Sequence, residues 1–410
     1  MPGELPAGWI RCAVGDVLAE HHDRVADQEL LPLSLTKHAG LVPAVERFGR
    51  ALHGKNVARY RIVHPDDVVL DPMLLWDGAI ARSHRDEPGF VSPDYRVFRS
   101  DPATVDLSFL EQWFRGSEAR TAFANEARGT NVRRNRIGRG DFLRIELVKP
   151  PLPEQKKIAA ILSSVDDAIR ATQAVIDQTR RVKEGLLQEL LTRGIGPDGK
   201  PHTRFKQTEI GEVPEGWEVA KLDDVAERGS GHTPSKRHQT YWDGGIPWVS
   251  LADSHRLDRV YVNETDKEIS DEGIANSSAV LHPAGTVFVS RDASVGRSAI
   301  AAMPLAVSQH FIAWRCGPAL SNQFLYYWLQ SQKPVFESIA TGSTIKTIGL
   351  PFFRSLRIPL PPRPEQEEIA ARLLALDEVL WALGRAVEQH QTTKSGLLSD
   401  LLTGRVRVTP

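Results

Sequence analysis

Two stretches decide the architecture: PPLPEQKKIAAILSSVDDAI at residues 150–169 and PPRPEQEEIAARLLALDEVL at residues 361–380. When the chain is shifted by 211 positions, residues 145–193 overlie residues 356–404 without a gap, with 19 identities in 49 pairs. Weaker likeness extends upstream, where FVSPDYRVFRSDP from Phe90 aligns with AVSQHFIAWRCGP from Ala306. A period this long does not suit a solenoid, so the sequence indicates a tandem duplication of a two-part unit.

Each repeated stretch predicts a long helix, because apolar residues recur at spacings of three and four. Pro153 and Pro364 suit the first helical turn, and Glu154 and Glu365 follow where the helix dipole favours an anion. About 39 residues would span roughly 58 Å, more than one small domain covers. We therefore expect the two helices to pair as in a coiled coil. The alternative is that each helix packs only on its own preceding block. The residues expected to pair are Ile158, Leu162, Val165, Ile169, Ile176, Leu186, Leu190, Ile369, Leu373, Leu376, Leu380, Leu383, Leu397 and Leu401.

The block before each helix has a mixed α/β pattern. Short β-type runs such as ARYRIV and TVFVS alternate with helical patches such as LSFLEQWF and NQFLYYWLQS. A Gly/Pro-rich segment, GIGPDGKP, ends the first helix. The predicted fold class is α+β, with two mixed α/β domains joined and separated by two long helices. The expected segments are 1–150 and 213–360 for the domains, 151–194 and 361–404 for the helices, 195–212 for a linker and 405–410 for a tail.

Composition excludes several classes of protein. The chain has 410 residues, with 51 Lys plus Arg against 52 Asp plus Glu, so any nucleic-acid surface must be local. Its two cysteines, Cys12 and Cys316, exclude a disulfide framework and a multi-cysteine zinc site, and they suit a reducing cytoplasm. No run approaches 18 apolar residues, so we expect neither a signal peptide nor a membrane span.

Motifs for catalysis and cofactor binding are absent or incomplete. Residues 194–200 match the phosphate-loop pattern GxxxxGK, but Pro201 follows where Ser or Thr is needed. The chain has no HExxH, paired CxxC, GxSxG or glycine-rich nucleotide fingerprint. His21, His22 and Asp23 form the densest ligand-like cluster, and we expect a solvated loop there. We therefore expect no catalytic, cofactor-binding or metal-binding residue in this chain.

Four basic, polar segments are candidates for nucleic-acid contact: residues 35–61, 128–144, 228–245 and 289–300. Arginine suits phosphates and guanine edges because its guanidinium group forms two parallel hydrogen bonds. Each segment alone could be a solvated basic turn, but four of them across both blocks favour DNA. The candidate DNA-binding residues are Lys37, His38, Arg50, Lys55, Asn56, Arg59, Arg133, Arg134, Arg136, Ser235, Lys236, Arg237, His238, Arg291, Ser294, Arg297 and, from the repeat counterpart of the second segment, Lys346.

Several motifs resemble the specificity subunit of type I restriction–modification systems. Besides the two Pro-Glu-Gln junctions, these are PEGW at 214–217, GHTPS at 231–235, GIPWVSLAD at 245–253 and ATGSTIKTI at 340–348. The resemblance covers essentially the whole chain, although the first block diverges at its start.

The resemblance implies a non-catalytic subunit in which each block is a target-recognition domain reading one part of a bipartite, asymmetric DNA site. The long helices would pack antiparallel and act as a ruler for the unread spacer. Expected partners are double-stranded DNA, two DNA adenine methyltransferase subunits and ATP-dependent restriction subunits. S-adenosylmethionine, ATP and Mg would bind those partners, and the complex would work in the cytoplasm. The alternative function is a coiled-coil scaffold that assembles proteins without reading DNA.

Overall fold

The structure is a computed structural model, and it describes residues 5–26, 29–37, 39–49, 57–128, 136–342 and 346–408. The chain divides into two compact units. Unit 1 comprises Met1–Gln173 and Arg385–Pro410, and unit 2 comprises Ala174–Gly384. In the described part of the chain, no helix is long and apolar enough to cross a membrane.

Unit 1 begins with a small antiparallel pair and continues into two four-stranded sheets. β1 pairs with β10, the first four-stranded sheet has the order β2-β9-β6-β7, and the second has the order β4-β3-β8-β5. The strands are β1 (Ile10–Ala13), β2 (Leu18–Glu20), β3 (Leu31–Thr36), β4 (Gly40–Pro43), β5 (Arg61–Val63), β6 (Val68–Leu70), β7 (Ile80–Arg82), β8 (Gly89–Val91), β9 (Arg96–Ser100) and β10 (Glu146–Lys149). The helices are α1 (Ala44–Phe48), α2 (Leu107–Arg115), α3 (Ser117–Glu126), α4 (Arg139–Arg144) and α5 (Leu152–Arg193).

Helix α2 carries much of the unit 1 core. Asp106 caps it by accepting a hydrogen bond from the Phe109 amide at 2.9 Å, which satisfies one of the free donors at the helix start. The apolar face of α2 buries Phe109, Leu110 and Trp113 in one cluster with side chains from β2, β6 and β9. The first turns of α5 join the same cluster.

Unit 2 contains a five-stranded sheet in the order β14-β21-β18-β19-β16 and a three-stranded sheet in the order β17-β15-β20. Two further antiparallel pairs are β11-β12 and β13-β22. The strands are β11 (Phe205–Thr208), β12 (Gly211–Pro214), β13 (Glu218–Lys221), β14 (Ala226–Ser230), β15 (Trp242–Val249), β16 (Tyr261–Val262), β17 (Lys267–Ile269), β18 (Val287–Ser290), β19 (Ser298–Ala301), β20 (Ala306–Val307), β21 (Phe311–Cys316) and β22 (Arg357–Leu360). The helices are α6 (Leu222–Val225), α7 (Asp271–Ala275), α8 (Asn322–Ser331), α9 (Lys333–Ile339), α10 (Leu350–Ser355) and α11 (Arg363–Leu402).

The centre of unit 2 is the apolar run Val287–Ser290, which is β18 and is fully buried. A strand covered on both faces reads as a continuous apolar run rather than an alternating one. Helix α8 is capped by Ser321, which accepts from the Phe324 amide, and it packs its aromatic residues onto this core.

The two long helices are antiparallel within each unit. In unit 1, Ile158 and Leu162 of α5 share a core with Leu401 of α11, and Asp166 accepts from the Lys394 ammonium at 2.6 and 2.8 Å. Thus later residues of α5 lie beside earlier residues of α11.

In unit 2, Leu190 shares a core with Ile369, and Lys183 donates to Asp377 across the two helices. The two lysine–aspartate pairs occupy equivalent positions of the 211-residue repeat. The fold class is therefore as predicted: two mixed α/β units and a pair of long helices.

The apolar residues along each long helix are not all buried to the same extent. Of the predicted pairing residues, Ile158, Leu162, Ile176, Leu190, Ile369, Leu373 and Leu401 are buried. The half-buried ones are Val165, Ile169, Leu186, Leu376, Leu380, Leu383 and Leu397. Several of the buried ones belong to the domain cores, so the domains cover the helix ends, and each helix contributes its two ends to different units.

Candidate nucleic-acid interface

The glutamate of each Pro-Glu-Gln junction connects the helix start to the segment that follows the other long helix. In unit 1, the Glu154 carboxylate accepts from the Trp9 indole at 3.2 Å and from the Arg407 guanidinium twice, at 2.9 Å each. The hydrogen bonds from Arg407 lower the pKa of Glu154 below its ordinary value, and they outweigh the opposing effect of burial.

Glu365 plays the same part in unit 2. It accepts from the Ile195 amide at 2.8 Å, the His202 ring at 3.0 Å and the Trp217 indole at 3.1 Å. Sequence reasoning identified the two glutamates as helix-dipole partners and missed these hydrogen bonds. The signal available for them was a further likeness between the two halves of the chain, in which LPAGW from Leu5 aligns with VPEGW from Val213 and pairs Trp9 with Trp217.

The glutamine of each junction holds the helix to its own domain. Gln155 accepts from the Asp106 amide at 2.9 Å and donates to the Pro150 carbonyl at 2.8 Å. Gln366 accepts from the Ser321 amide at 2.8 Å. Because Asp106 and Ser321 cap α2 and α8, each glutamine connects the start of a long helix to the start of a domain helix.

Three predicted DNA contacts of unit 2 come together on neighbouring loops. The Ala293 amide donates to the Lys346 carbonyl at 2.9 Å, and the Ile348 amide donates to the Arg291 carbonyl at 3.0 Å. These bonds place Lys346 beside the turn that carries Arg291 and Ser294. Lys346 is exposed, whereas Arg291 and Ser294 are half-buried.

Arg297 is partly exposed, with 41% of its side chain accessible, and is held in place by contacts within unit 2. Its guanidinium donates to the Ser254 carbonyl at 2.6 Å and lies 3.9 Å from Asp258. Lys333 and Gln330 also donate to Asp258. Arg297 thus stabilises the base of the turn that carries the other candidates.

The segment from Ser235 to His238 is exposed throughout. The Trp242 indole donates to the Ser235 carbonyl at 3.3 Å, and the His238 ring stacks on Tyr241 at 4.8 Å. Lys236 and Arg237 are therefore exposed cations on a loop that is fixed at both ends.

A chain of polar side chains connects this loop to the Arg291 turn. Thr233 donates to the Gln309 Oε1 atom at 2.6 Å, and the Gln309 Nε2 atom lies 3.3 Å from His310 Nε2. His310 Nδ1 lies 2.8 Å from an Asp292 carboxylate oxygen. Sequence reasoning missed Gln309 and His310. The available signal was a difference between the two repeats, because the first repeat has Pro93 and Asp94 where the second has Gln309 and His310.

Unit 1 has fewer candidate DNA-binding residues than unit 2 in the described part of the chain. Lys37 forms an ion pair with Asp77 at 2.6 Å, and Arg59 and Arg136 are exposed. The remaining unit 1 candidates, which lie outside the described residues, are His38, Arg50, Lys55, Asn56, Arg133 and Arg134.

Unit 1 also contains a cationic cluster that the sequence did not reveal. The fully buried Glu20 carboxylate lies 2.8 Å from Arg61, 3.3 Å from Arg96 and 2.7 Å from Arg139. Burial opposes ionisation of Glu20, but the hydrogen bond from Arg61 and the charges of Arg96 and Arg61 lower its pKa. One carboxylate facing three guanidinium groups leaves net positive charge at this surface, where Arg139 is 55% exposed.

The expectation of a solvated loop at His21-His22-Asp23 is wrong for His21. Its ring is half-buried and lies 2.8 Å from the buried Asp67 carboxylate. Arg99 lies 3.2 Å from the other Asp67 oxygen. The alternation of strand residues does not reveal such a pairing, because Asp67 is 46 positions away in sequence. Among the described residues, no group of three His, Cys, Asp or Glu side chains could hold a metal ion.

Comparisons with known proteins agree with the junctions and the fold. Residues 214–389 match the type I restriction modification DNA specificity domain. The chain is 30% identical over 284 residues to the MjaX type I restriction enzyme specificity subunit of Methanocaldococcus jannaschii, a match that covers 68% of this chain and 63% of that relative. It is 26% identical over 359 residues to the MjaVIII specificity subunit of the same organism, which covers 85% of this chain and 80% of the relative.

Two solved structures are similar in fold. A chain from a structure of the assembly and conformational transition of a type I restriction–modification system has a TM-score of 0.61 and 19% identity, covering 99% of this chain and 100% of that chain. The type I system S subunit from M. genitalium has a TM-score of 0.56 and 13% identity, covering 96% of each chain. Fold and junctions together define a class of chain with two mixed α/β domains and a pair of long helices. Within that class, residues 214–389 of this chain match the type I restriction modification DNA specificity domain, and most of the chain is similar to type I restriction enzyme specificity subunits.

Proposed function

We propose that this chain reads a bipartite DNA site as the specificity subunit of a type I restriction–modification complex. The observation that carries the proposal is the repeated Glu-Gln junction. It connects the start of each long helix to a different one of the two domains. Two equivalent fixed domains suit a site with two separate parts. The proposed recognition domains are residues 1–150 and 213–360.

The exposed cations support DNA as the ligand. In unit 2, Lys236, Arg237 and Lys346 are exposed, and in unit 1 the cluster at Glu20 presents Arg139. Contacts from such side chains to phosphates position a protein on a duplex, whereas contacts to base edges specify sequence. Because the net charge of the chain is −1, we expect it to bind DNA weakly on its own and in a salt-sensitive way.

The long helices would set the spacing between the two parts of the site. They have 42 and 40 residues, and 42 helical residues extend about 63 Å. That length compares with about 34 Å for one turn of DNA. The proposal therefore assigns the helices to the spacer and the loops to the sequence.

The proposed partners are two DNA adenine methyltransferase subunits and ATP-dependent restriction subunits, working in the cytoplasm. This chain would contribute recognition and assembly, and S-adenosylmethionine, ATP and Mg would bind the partners. Four exposed apolar side chains on the helices of unit 2 support a protein partner there. They are Val175, Val182, Val379 and Trp381.

The test is methylation mapping by long-read sequencing in cells that express this chain with its methyltransferase. We expect one split motif with adenine methylated on both strands. The control is the methyltransferase expressed without this chain, where the motif should disappear. Persistent methylation without the chain would contradict the proposal and favour the coiled-coil scaffold.

A further inference from the structure

Unit 2 holds an exposed glutamine in a single orientation, and we infer that Gln309 reads an adenine in the second half-site. This inference rests on the proposed function, because it names one specificity-determining contact of the proposed DNA reader. The Gln309 amide lies at the end of the hydrogen-bonded series Asp292, His310, Gln309 and Thr233.

The series determines which way the amide points. His310 Nδ1 lies against the Asp292 carboxylate at 2.8 Å, and a carboxylate accepts, so Nδ1 carries the hydrogen. The Gln309 Nε2 atom lies 3.3 Å from His310 Nε2, and because an amide NH₂ group can only donate, it donates to that ring nitrogen. The Gln309 oxygen faces the Thr233 hydroxyl, which donates to it at 2.6 Å.

Two hydrogen-bonding groups of the Gln309 amide remain for a ligand. The NH₂ group has two hydrogens and uses one on His310, and the oxygen has two lone pairs and uses one on Thr233. One donor and one acceptor are left on an exposed side chain. Adenine presents an acceptor, N7, and a donor, the N6 amino group, at its major-groove edge.

The backbone around Thr233 is fixed by close packing. A Cβ on Gly231 would lie 1.9 Å from the Val307 carbonyl oxygen, so only glycine allows this approach. The His232 amide donates to the same carbonyl at 3.0 Å, and the Trp248 indole donates to the His232 carbonyl at 3.0 Å. A side chain held in its binding orientation loses less conformational entropy on binding than a free one.

Charge around Gln309 suits a contact to DNA. Lys346 is an exposed cation beside the loop that contains Asp292, and Lys236 and Arg237 lie on the exposed loop that follows Thr233. These cations would contact phosphates while Gln309 contacts a base edge. In the repeat alignment unit 1 has Pro93 in place of Gln309, so the contact belongs to the second half-site alone.

The test uses the complete chain with its methyltransferase and compares the wild-type motif with those of Gln309→Ala and Gln309→Glu. We expect Gln309→Ala to lose discrimination at one adenine–thymine position of the second half-site by about 10- to 100-fold, with the first half-site unchanged. Gln309→Glu replaces the amide donor with an acceptor, so that position should reject adenine and favour cytosine. Gln207→Ala, at an exposed glutamine of β11, is the matched control.

Competition binding with duplexes altered at each position separates the outcomes. An equal loss of affinity for every sequence would identify a phosphate contact and overturn base reading by Gln309. An unchanged second half-site in both Gln309 variants would overturn the inference while leaving the proposed function intact. Absence of a split motif in the wild type would instead contradict the proposed function itself. Thr233→Val removes only the hydroxyl that orients the amide, and we expect it to weaken discrimination less than Gln309→Ala does.

Discussion

Replacing Gln366 tests whether the junction glutamines hold the long helices to their domains. The Gln366 side chain is fully buried. It accepts from the Ser321 amide at 2.8 Å and donates to the carbonyls of Pro361 at 2.8 Å and Ala319 at 2.9 Å. Gln366→Ala removes all three hydrogen bonds and leaves the Ser321 amide without its partner in the core.

The expected cost follows from those contacts. A neutral hydrogen bond contributes about 1 kcal/mol, and a buried donor left without a partner costs about 1–3 kcal/mol. Two donated bonds and one orphaned amide together predict that Gln366→Ala destabilises unit 2 by about 3–5 kcal/mol. Gln366→Glu keeps the shape of the side chain but faces two carbonyl oxygens with a carboxylate, so it should be at least as destabilising. Gln155→Ala loses two such bonds in unit 1, and we expect about 2–3 kcal/mol there.

Hydrogen exchange measured by mass spectrometry resolves the two units, because peptides from each report their own opening free energy. For Gln366→Ala we expect faster exchange in peptides of β18 and β21 and little change in those of unit 1. Gln389→Ala, at an exposed position of the same helix, is the control. If Gln366→Ala loosened unit 2 no more than Gln389→Ala does, the anchoring role would be refuted.

Four further predictions address the helices and the loops. Burial opposes ionisation of Asp166, but hydrogen bonds from Lys394 and Gln112 lower its pKa. Its contribution to the stability of unit 1 is therefore present above the unfolded-state pKa and is lost as the pH falls through the lower folded-state pKa. Lys394→Met should reduce this pH dependence when the free energy of unfolding is measured against pH. Gly231→Ala forces a Cβ to within 1.9 Å of a carbonyl oxygen and should abolish recognition of the second half-site in methylation maps, whereas Gly216→Ala, which meets no atom within 4 Å, should not. Matched seven-residue insertions in α5 and α11 should lengthen the spacer and keep both half-sites; an unchanged spacer would refute the ruler. Trp381 is 63% exposed. Trp381→Arg should therefore weaken co-purification of the methyltransferase without lowering the melting temperature by more than a degree or two. Undiminished co-purification would show that the methyltransferase does not bind at Trp381.

The sequence alone was sufficient for the duplication, the fold class and the family, because the repeat and the helical periodicity are strong one-dimensional signals. It was not sufficient for the contacts made by Glu154 and Gln155. Those side chains contact residues as distant as Arg407 and Asp106, and long-range partners leave no trace in local spacing.

Candidate residues on loops were the least predictable from composition. Arg297 is a candidate DNA contact, and its guanidinium also donates to the Ser254 carbonyl while 41% of its side chain is exposed. Glu20 attracted no notice in the sequence, yet it organises three arginines. A basic residue type indicates which chemistry is available, whereas the buried carboxylates decide which cations remain exposed. Gln309 is the converse case, because a neutral residue acquires a defined orientation only through Thr233 and His310.

The division of the chain between the units has a consequence for the order of events during synthesis. Unit 2 is one continuous segment, Ala174–Gly384, whereas unit 1 needs both Met1–Gln173 and Arg385–Pro410. The ribosome therefore finishes the first part of unit 1 well before Leu401 and Leu402, which lie in its core, have been made. At about 5–20 residues per second, the gap lasts roughly 10 to 45 seconds. During that time the apolar core of unit 1 is incomplete. Unit 2 therefore begins synthesis later than unit 1 but can finish folding first.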